Sequence, residues 1–535
     1  MDRKHLIFLS LITGILLTPA WYPWGNGLLL IIAFIPLLFV ENAVSALPKP
    51  GKKIFNYSFL GFLVWNLLAT WWIKNASLPG MFVAVLLNSL LMSGCFWLFS
   101  LTRRKLGDRY GYPSLIFYWL AYEYLYLNGE ISWTWLNLGN GFANDIKLIQ
   151  WYEYTGTLGG TLWVLVLNIL IYKLIKVFLN NKSLTVIKPR IIIFTSVLII
   201  PIAFSLVRYI TYKENEDPYE IVVIQPNIDP YEKFNEIPPQ EQMNIFIRLA
   251  DSLVTPTTDY IVVPETFINN NVWLDKLEEN PSIKTLRAFH SLHPRTKIVV
   301  GATTYKIYKN PEDVTATAKP LDALFYDSFN TALQIDSSSL IPSYHKSQLV
   351  VGVEKMPYPD KLGFLKKLML NLGGTFRSHG TQDYRDAFVS PSGDTRVAPV
   401  ICYESIFGEY VTEYISEADA NFIFIITNDG WWGDTPGYIQ HNSFASLRAI
   451  ETRRSLARSA NTGISSFINQ KGMMLQIIPW WEEGAIRETL NASDKYTFYV
   501  KHGDYLGRAA TVLSLIMLLY MLTKFLTPAK IVRKN

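Results

Sequence analysis

Long apolar runs joined by short polar stretches fill the first two fifths of the chain, short β-branched runs alternating with amphipathic stretches follow, and one long apolar run returns near the end. A helix needs about 20 largely apolar residues to cross the hydrocarbon of a bilayer. Runs near 6 to 20, 28 to 43, 54 to 73, 81 to 101, 112 to 127, 159 to 179, 190 to 210 and 506 to 526 answer to that description, so the pattern predicts eight membrane spans. Arg3 and Lys4 precede the first as they would a signal peptide, but a second span follows almost at once and no small-residue cleavage site stands between them, so the first is read as retained. The segment near 128 to 158 is too polar to span yet rich in Trp and Tyr, rings that favour the headgroup level. It reads equally as an ordinary loop or as a membrane-lying arm that shapes a lipid entrance.

Basic residues orient the spans, because short cytoplasmic loops collect Lys and Arg. Alternate loops carry Arg3 and Lys4, then Lys49, Lys52 and Lys53, then Arg103, Arg104, Lys105 and Arg109, then a group from Lys173 to Arg190, and finally Lys524 and the basic C-terminus. The intervening short loops hold Lys74 and Lys147, while Arg208, Lys213 and Arg508 flank the large insert and blunt the contrast without reversing it. Both termini are therefore expected in the cytoplasm. The expected organisation is a membrane domain over 1–212, an extracytoplasmic domain over 213–503, and an eighth span with a cytoplasmic tail over 504–535. In a bacterium with two membranes, the insert would face the periplasm from the inner membrane.

From Tyr219 the period changes. EIVVIQ (220 to 225), YIVVPE (260 to 265), KIVVGA (297 to 302), SFNTALQID (328 to 336), APVICYE (398 to 404) and NFIFIITND (421 to 429) read as buried strands. Helix-like stretches at 238 to 254, 281 to 291 and 437 to 455 lie between them, and strands alternating with helices imply an α/β layered domain. Composition agrees with the two-part picture: 50% hydrophobic and 14% aromatic residues against 17% charged imply lipid-facing surface. A net charge of +5 over 535 residues gives no basic stripe for nucleic acid. Two cysteines, Cys95 and Cys402, make neither a disulfide scaffold nor a thiolate metal cluster.

Ligand sites in α/β sheets gather at strand ends, and several strands here end in reactive side chains: Glu265, Cys402, and Asn428 with Asp429. Lys346 in SYHKSQLV is a further candidate. Each has an ordinary structural explanation when taken alone: a capping acid, a solvated lysine, an inert core thiol. His441 has no second ligand at a fitting spacing and reads as a satisfied structural histidine, and Arg448, Arg453, Arg454 and Arg458 read as helix-surface charges. No Gly-x-Gly-x-x-Gly or P-loop run occurs, and neither a nucleotide nor any metal or organic cofactor is expected.

Together the candidates fall into a pattern. VVPETF (262 to 267), YHKSQLVVGVEKMPY (344 to 358), VICYES (400 to 405) and the block from Asn428 to Gly463 resemble the nitrilase superfamily, and the whole chain resembles its membrane-embedded branch, the apolipoprotein N-acyltransferase family. The resemblance implies a polytopic helical membrane domain carrying a four-layer α-β-β-α domain. It assigns Glu265 as proton acceptor, Lys346 as stabiliser of thiolate and oxyanion, Cys402 as nucleophile, and Glu354 as a further acid of the lysine loop; Tyr403 and Glu404 beside the nucleophile are supporting candidates, and Trp431 reads either as core packing or as an indole lining the site. It also implies the reaction: an acyl chain passes from a phospholipid to Cys402 and then to the α-amino group of a diacylated lipoprotein, with a monomer expected. A membrane-anchored amidase or nitrilase acting on a small amide is the alternative, since the same triad serves both. Five positions depart from the family pattern: Val263 and Phe234 where Trp is usual, and Val351-Gly352-Val353 where Pro-Phe-Gly is usual before Glu354.

Overall fold

The computed structural model describes residues 1–180, 184–233, 236–358 and 378–526. Phe234 and the basic C-terminus beyond 526 lie outside the described residues. The chain divides into two units, one holding Met1–Trp71, Met81–Val207 and the segment from Asp504 onward, the other Trp72–Gly80 and Arg208–Gly503.

The first unit is helical. Among the described residues six helices are long and apolar enough to cross a membrane, by length and composition: Arg3–Trp21, Gly27–Val44, Leu78–Leu106, Tyr152–Asn180, Thr185–Thr211 and Tyr505–Lys524. The two other runs singled out in the sequence also form helices, Pro50–Thr70 and Asp108–Leu127. They are less apolar because they carry buried polar groups that the unit satisfies internally. Asn66 accepts from Asn88 at 2.7 Å, and Glu123 accepts from Thr161 Oγ1 at 2.6 Å and Trp119 Nε1 at 3.1 Å. Small residues let backbones meet: a Cβ on Gly14 would lie 2.4 Å from the Gly61 carbonyl oxygen. The segment near 128 to 158 is tucked into this unit rather than laid along it, with Trp135, Leu138 and Phe142 buried and the Leu138 N–H bonded to Glu123 at 2.9 Å.

The second unit is a two-sheet sandwich. One sheet contains β1 (Pro218–Gln225), β2 (Thr258–Trp273), β3 (Lys297–Tyr308), β4 (Lys319–Leu321), β5 (Leu324–Ile335), β6 (Ser343–His345) and a late strand, Gly484–Asn491. The other contains β7 (Phe388–Val389), β8 (Arg396–Ile401), β9 (Phe422–Thr427), β10 (Ser455–Ala460), β11 (Ser465–Ile468) and β12 (Met474–Ile478). With Gly484–Asn491 as β13, the spatial orders are β13-β1-β2-β3-β5-β4, with β6 also on β5, and β12-β11-β10-β9-β8-β7. β1, β2 and β3 are mutually parallel, as are β8, β9 and β10. These central strands are covered on both faces, which is why they read as unbroken apolar runs. Inner faces meet through aromatic pairs, Tyr260 on Phe424 at 5.2 Å and Tyr219 on Phe422 at 5.6 Å. Helices Pro239–Asp251 and Pro281–Leu292 cover the first sheet, joined by Phe246 on Phe289, while Gly408–Ser416 and Pro436–Thr452 belong with the second. The result is the four-layer α-β-β-α arrangement expected.

Two readings need correction or extension. Arg448, Arg453, Arg454 and Arg458 are not surface charges but are buried, each at most 1% exposed. Their guanidiniums satisfy groups that would otherwise be orphaned inside the sandwich: Arg448 donates to the Ile406 carbonyl at 2.7 Å, Arg454 to the Ala420 carbonyl at 2.7 Å, and Arg458 to Asp429 at 2.6 Å. The short Trp72–Gly80 segment clusters with the α/β unit, where Trp72 lies on Trp432 at 5.0 Å and Asn75 donates to the Trp432 carbonyl at 2.7 Å.

Candidate active site

Glu265 sits where β2 breaks step. The pairing of β2 with β3 shifts between Val263 and Ile268, and Thr266 takes a positive φ of 50°. A β-branched residue there is a genuine outlier. Gly301 on β3 makes the break possible: a Cβ at that position would lie 2.5 Å from Thr266 N and 2.6 Å from Glu265 Cα. Gly301→Ala is therefore expected to destabilise the α/β unit by about 1–3 kcal/mol through overpacking and to displace Glu265. A thermal melt of the purified protein beside its activity tests this, and unchanged values in both would contradict the assigned role of Gly301.

Lys346 follows β6 directly, and its N–H donates to the Asn330 carbonyl on β5 at 2.8 Å. Its ammonium bridges two carboxylates, Glu265 Oε1 at 3.1 Å and Glu354 Oε1 at 2.8 Å. Asn330 Nδ2 repeats the bridge, donating to Glu265 Oε1 at 2.7 Å and Glu354 Oε1 at 3.3 Å. Glu354 is held by its own turn, where the Val350 N–H donates to Oε2 at 2.8 Å and Gly352 supplies a φ of 83°. Val351 and Val353 leave that turn intact although they replace the usual Pro and Gly.

Cys402 closes β8 and opens a 3₁₀ turn, Cys402–Ile406, at a φ of 49°. It is 8% exposed. The strained elbow is secured from beneath: Ser405 Oγ donates to the Cys402 carbonyl at 2.7 Å, and His441 Nε2 lies 3.0 Å from Ser405 Oγ and 3.3 Å from that carbonyl. His441 Nδ1 is 2.9 Å from Asp429 Oδ1, and Arg458 Nη2 donates to Asp429 Oδ2 at 2.6 Å. His441 is thus a buried structural residue as expected, but one that supports the reactive turn.

The remaining candidates divide. Glu404 is fully buried and staples the two loops together, accepting from the Ser347 N–H at 2.7 Å and the Ile401 N–H at 2.9 Å. Tyr403 is buried edge-on to Phe407 at 5.3 Å. Trp431 stands apart, 36% exposed and edge-on to Tyr231 at 5.2 Å. Sequence reading missed Asn330 and Lys233. Asn330 is one of several polar residues in the buried SFNTALQID strand, a signal that was available though not specific; Lys233 lies in a loop without periodicity and gave none.

Electrostatics follow from burial and these contacts. Burial is the largest influence on Lys346 and opposes its charge, but Glu265, Glu354 and Cys402 outweigh it, so the ammonium holds its proton well above the usual lysine range. Burial likewise opposes the charge of Glu354, and Lys346 with the Val350 N–H overcomes it, keeping the carboxyl below its usual range. For Cys402, burial and then the Glu265 charge push the thiol up, with Lys346 pulling the other way. Asp429 is held well below the carboxylate range because Arg458 and His441 outweigh its burial, while burial pushes Glu404 up against the two backbone N–H groups. A buried thiol beside a carboxylate and an ammonium has the parts for nucleophilic acyl transfer. Among the described residues no three His, Cys, Asp or Glu side chains converge as a metal cage requires.

Comparison with known proteins matches these two units to two families. Residues 13–170 match the apolipoprotein N-acyltransferase N-terminal domain, and residues 223–496 match the carbon-nitrogen hydrolase family. An apolipoprotein N-acyltransferase of Chlorobaculum tepidum is 27% identical over 503 residues, covering 93% of each chain. Proteins of the same name from Geobacter metallireducens and Thermotoga maritima are 26% and 24% identical, covering 94% and 95% of this chain and 92% of each relative. The chain belongs to the carbon-nitrogen hydrolase family, in its membrane-embedded apolipoprotein N-acyltransferase branch.

Proposed function

We propose that this membrane protein is an N-acyltransferase that moves a fatty acyl chain from a phospholipid to the α-amino group of a diacylated lipoprotein, through a thioester on Cys402. The observation that carries the reading is the single buried ammonium of Lys346 bridging Glu265 and Glu354 at 3.1 and 2.8 Å, with Glu265 and Lys346 both acting electrostatically on the Cys402 thiol.

In the first half, Glu265 takes the Cys402 proton as sulfur attacks the phospholipid ester carbonyl. Lys346 and the backbone N–H groups after Cys402 stabilise the oxyanion. The ester C–O bond then breaks, Glu265 returns the proton to the leaving alkoxide, and a lysophospholipid departs. In the second half the neutral α-amine attacks the thioester, its surplus proton passes by way of Glu265 to the departing sulfur, and an amide and the free thiol result. The amine must be neutral to attack, and an α-amino pKa near 8 makes mildly basic pH favourable. Ping-pong order requires water to be kept out between halves, which suits a thiol only 8% exposed.

The phospholipid donor explains why a hydrolase-type domain is joined to a helical membrane unit. Eight spans with both termini cytoplasmic would place 213–503 outside the inner membrane, where lipoproteins carry their lipid, and a monomer suffices. Purified protein in detergent, given phospholipid and a diacylated lipopeptide, is expected to yield N-acylated lipopeptide and an equal amount of lysophospholipid. Ammonia release from small amides without that product would support the amidase reading instead.

The thiol also makes a pH prediction. Burial and Glu265 raise the Cys402 proton affinity in the free protein, so its alkylation by iodoacetamide is expected to be slow at neutral pH and still rising above pH ~8.5, where an ordinary thiol is half ionised. A plateau reached below pH 7 would show a preformed thiolate and contradict the role given to Glu265.

A further inference from the structure

The exchange above gives no part to a buried lysine that touches the catalytic acid's own backbone. Lys233, in the connection between β1 and helix Pro239–Asp251, has no exposed surface. Its ammonium donates to the Glu265 backbone carbonyl at 3.0 Å and to Thr266 Oγ1 at 3.2 Å. Its own carbonyl accepts from Asn269 Nδ2 at 2.6 Å and Gln242 Nε2 at 3.0 Å, so both ends of the residue are fixed. Enclosing an amine away from water is costly; burial lowers its pKa to about 7, with the Glu265 charge opposing that. A leucine or methionine would fill the same volume without this penalty, so the donor itself has a use.

That use lies in the turn it touches. Thr266 is β-branched at a φ of 50°, and such strain persists only where the surroundings over-determine it. Gly301 closes the turn from the β3 side, where no Cβ would fit. The break in β2 pairing leaves Glu265 and Thr266 out of the β2–β3 ladder, so the Glu265 carbonyl is available to a side chain. Lys233 supplies that bond and a second one to the neighbouring hydroxyl, clamping the turn from the other direction.

We propose that Lys233 is a positioning residue that holds the left-handed turn at Thr266 and so aims the Glu265 carboxylate at Lys346 and Cys402. It rests on the reading of Glu265 as proton acceptor, and it adds a component of the site on the loop after β1, away from the triad's own segments. Without Lys233 the turn relaxes toward an ordinary φ and the carboxylate swings out of line. A displacement of about 1 Å in a reacting group costs on the order of a hundredfold in rate.

The test uses the full-length protein in detergent with two variants, Lys233→Met and Lys233→Met combined with Thr266→Gly. Two rates are followed: alkylation of Cys402 by iodoacetamide at pH 7, where the thiol is protonated and reacts as Glu265 takes its proton with no lipid needed, and thioester formation against phospholipid concentration. Lys233→Met is expected to slow both about a hundredfold with the half-saturating phospholipid concentration unchanged. Adding Thr266→Gly is expected to recover at least about tenfold, because glycine holds a positive φ without strain and needs no clamp. A single variant that fails to fold beside a double variant that folds and reacts supports the same conclusion. The proposal is overturned if Lys233→Met reacts like the parent, if the double variant is no faster than the single, or if neither folds. Lys233-dependent alkylation in a protein that takes no chain from phospholipid would instead sink the transferase reading and leave this one standing.

Discussion

Replacing Cys402 with alanine is expected to reduce acyl transfer by on the order of 10⁴-fold or more, the scale of losing a nucleophile that acts as one unit with its base and oxyanion donors. The fold should survive. The change removes one sulfur from a small buried side chain, a loss of about 1 kcal/mol at most by analogy with other single-atom core truncations. The positive φ of 49° at this position costs alanine what it costs cysteine, and the bonds that secure the elbow run to the Cys402 backbone carbonyl rather than to its sulfur. A melt within a few degrees of the parent, beside vanished activity, is the expected pair of results. Cys402→Ser should fare little better, since an alcohol holds its proton far more tightly than a thiol and Glu265 is a weak base for it. Glu265→Gln keeps the shape and loses the proton acceptor, for an expected fall of about 10²–10⁴-fold.

Lys346→Met is expected to damage stability as well as rate. In the parent one ammonium lies 3.1 Å from Glu265 Oε1 and 2.8 Å from Glu354 Oε1, with Lys346 1% exposed. Removing it leaves two enclosed carboxyl groups that cannot both stay ionised. Breaking a buried ion pair from one side costs about 3–5 kcal/mol, and the lost oxyanion donor adds on the order of 10²–10³-fold in rate. The pH dependence has a definite sign. In the variant one carboxyl acquires a folded-state pKa above its unfolded value near 4.3, so the stability it contributes is complete below pH ~4 and is lost as pH rises through the folded value. In the parent, Glu354 lies below its usual range, so its contribution is present above pH ~4.3 and is lost only as pH falls through the lower folded value. Melting temperatures at pH 5 and pH 8 should therefore diverge, with the gap between parent and variant wider at pH 8. A constant gap would mean that the two carboxylates are not coupled through Lys346.

How much of this could be read from residues alone depends on what each segment has to hide. EIVVIQ and NFIFIITND were legible because strands buried on both faces are apolar throughout, and they became β1 and β9. SLARSA, which forms β10, was not: Arg458 reads as a helix-surface charge until Asp429 and the Ile224 carbonyl are seen to receive it and Ser459. β2 runs on to Trp273, past three asparagines that no alternation rule would keep in a strand. The eight helices were visible as apolar runs, but Asn66 and Glu123 lower the apolar character of two of them for reasons of internal bonding that composition cannot express. Glu265 and Cys402 stood out at strand ends, but only the family resemblance joined them to Lys346 as one candidate site, since no spacing links the three. Lys233 was beyond either route because its value lies in the φ of a residue on another strand.

The central claim is that Cys402 carries the chain. Full-length protein incubated with phospholipid bearing an isotopically labelled acyl group, quenched in acid and digested, should yield the peptide containing Cys402 heavier by one labelled chain. Neutral hydroxylamine should remove the label, and a diacylated lipopeptide added before the quench should collect it on its α-amine. Labelled N-acyl lipopeptide formed at the parent rate by Cys402→Ala, or a chain found on another residue of the parent, would contradict the account.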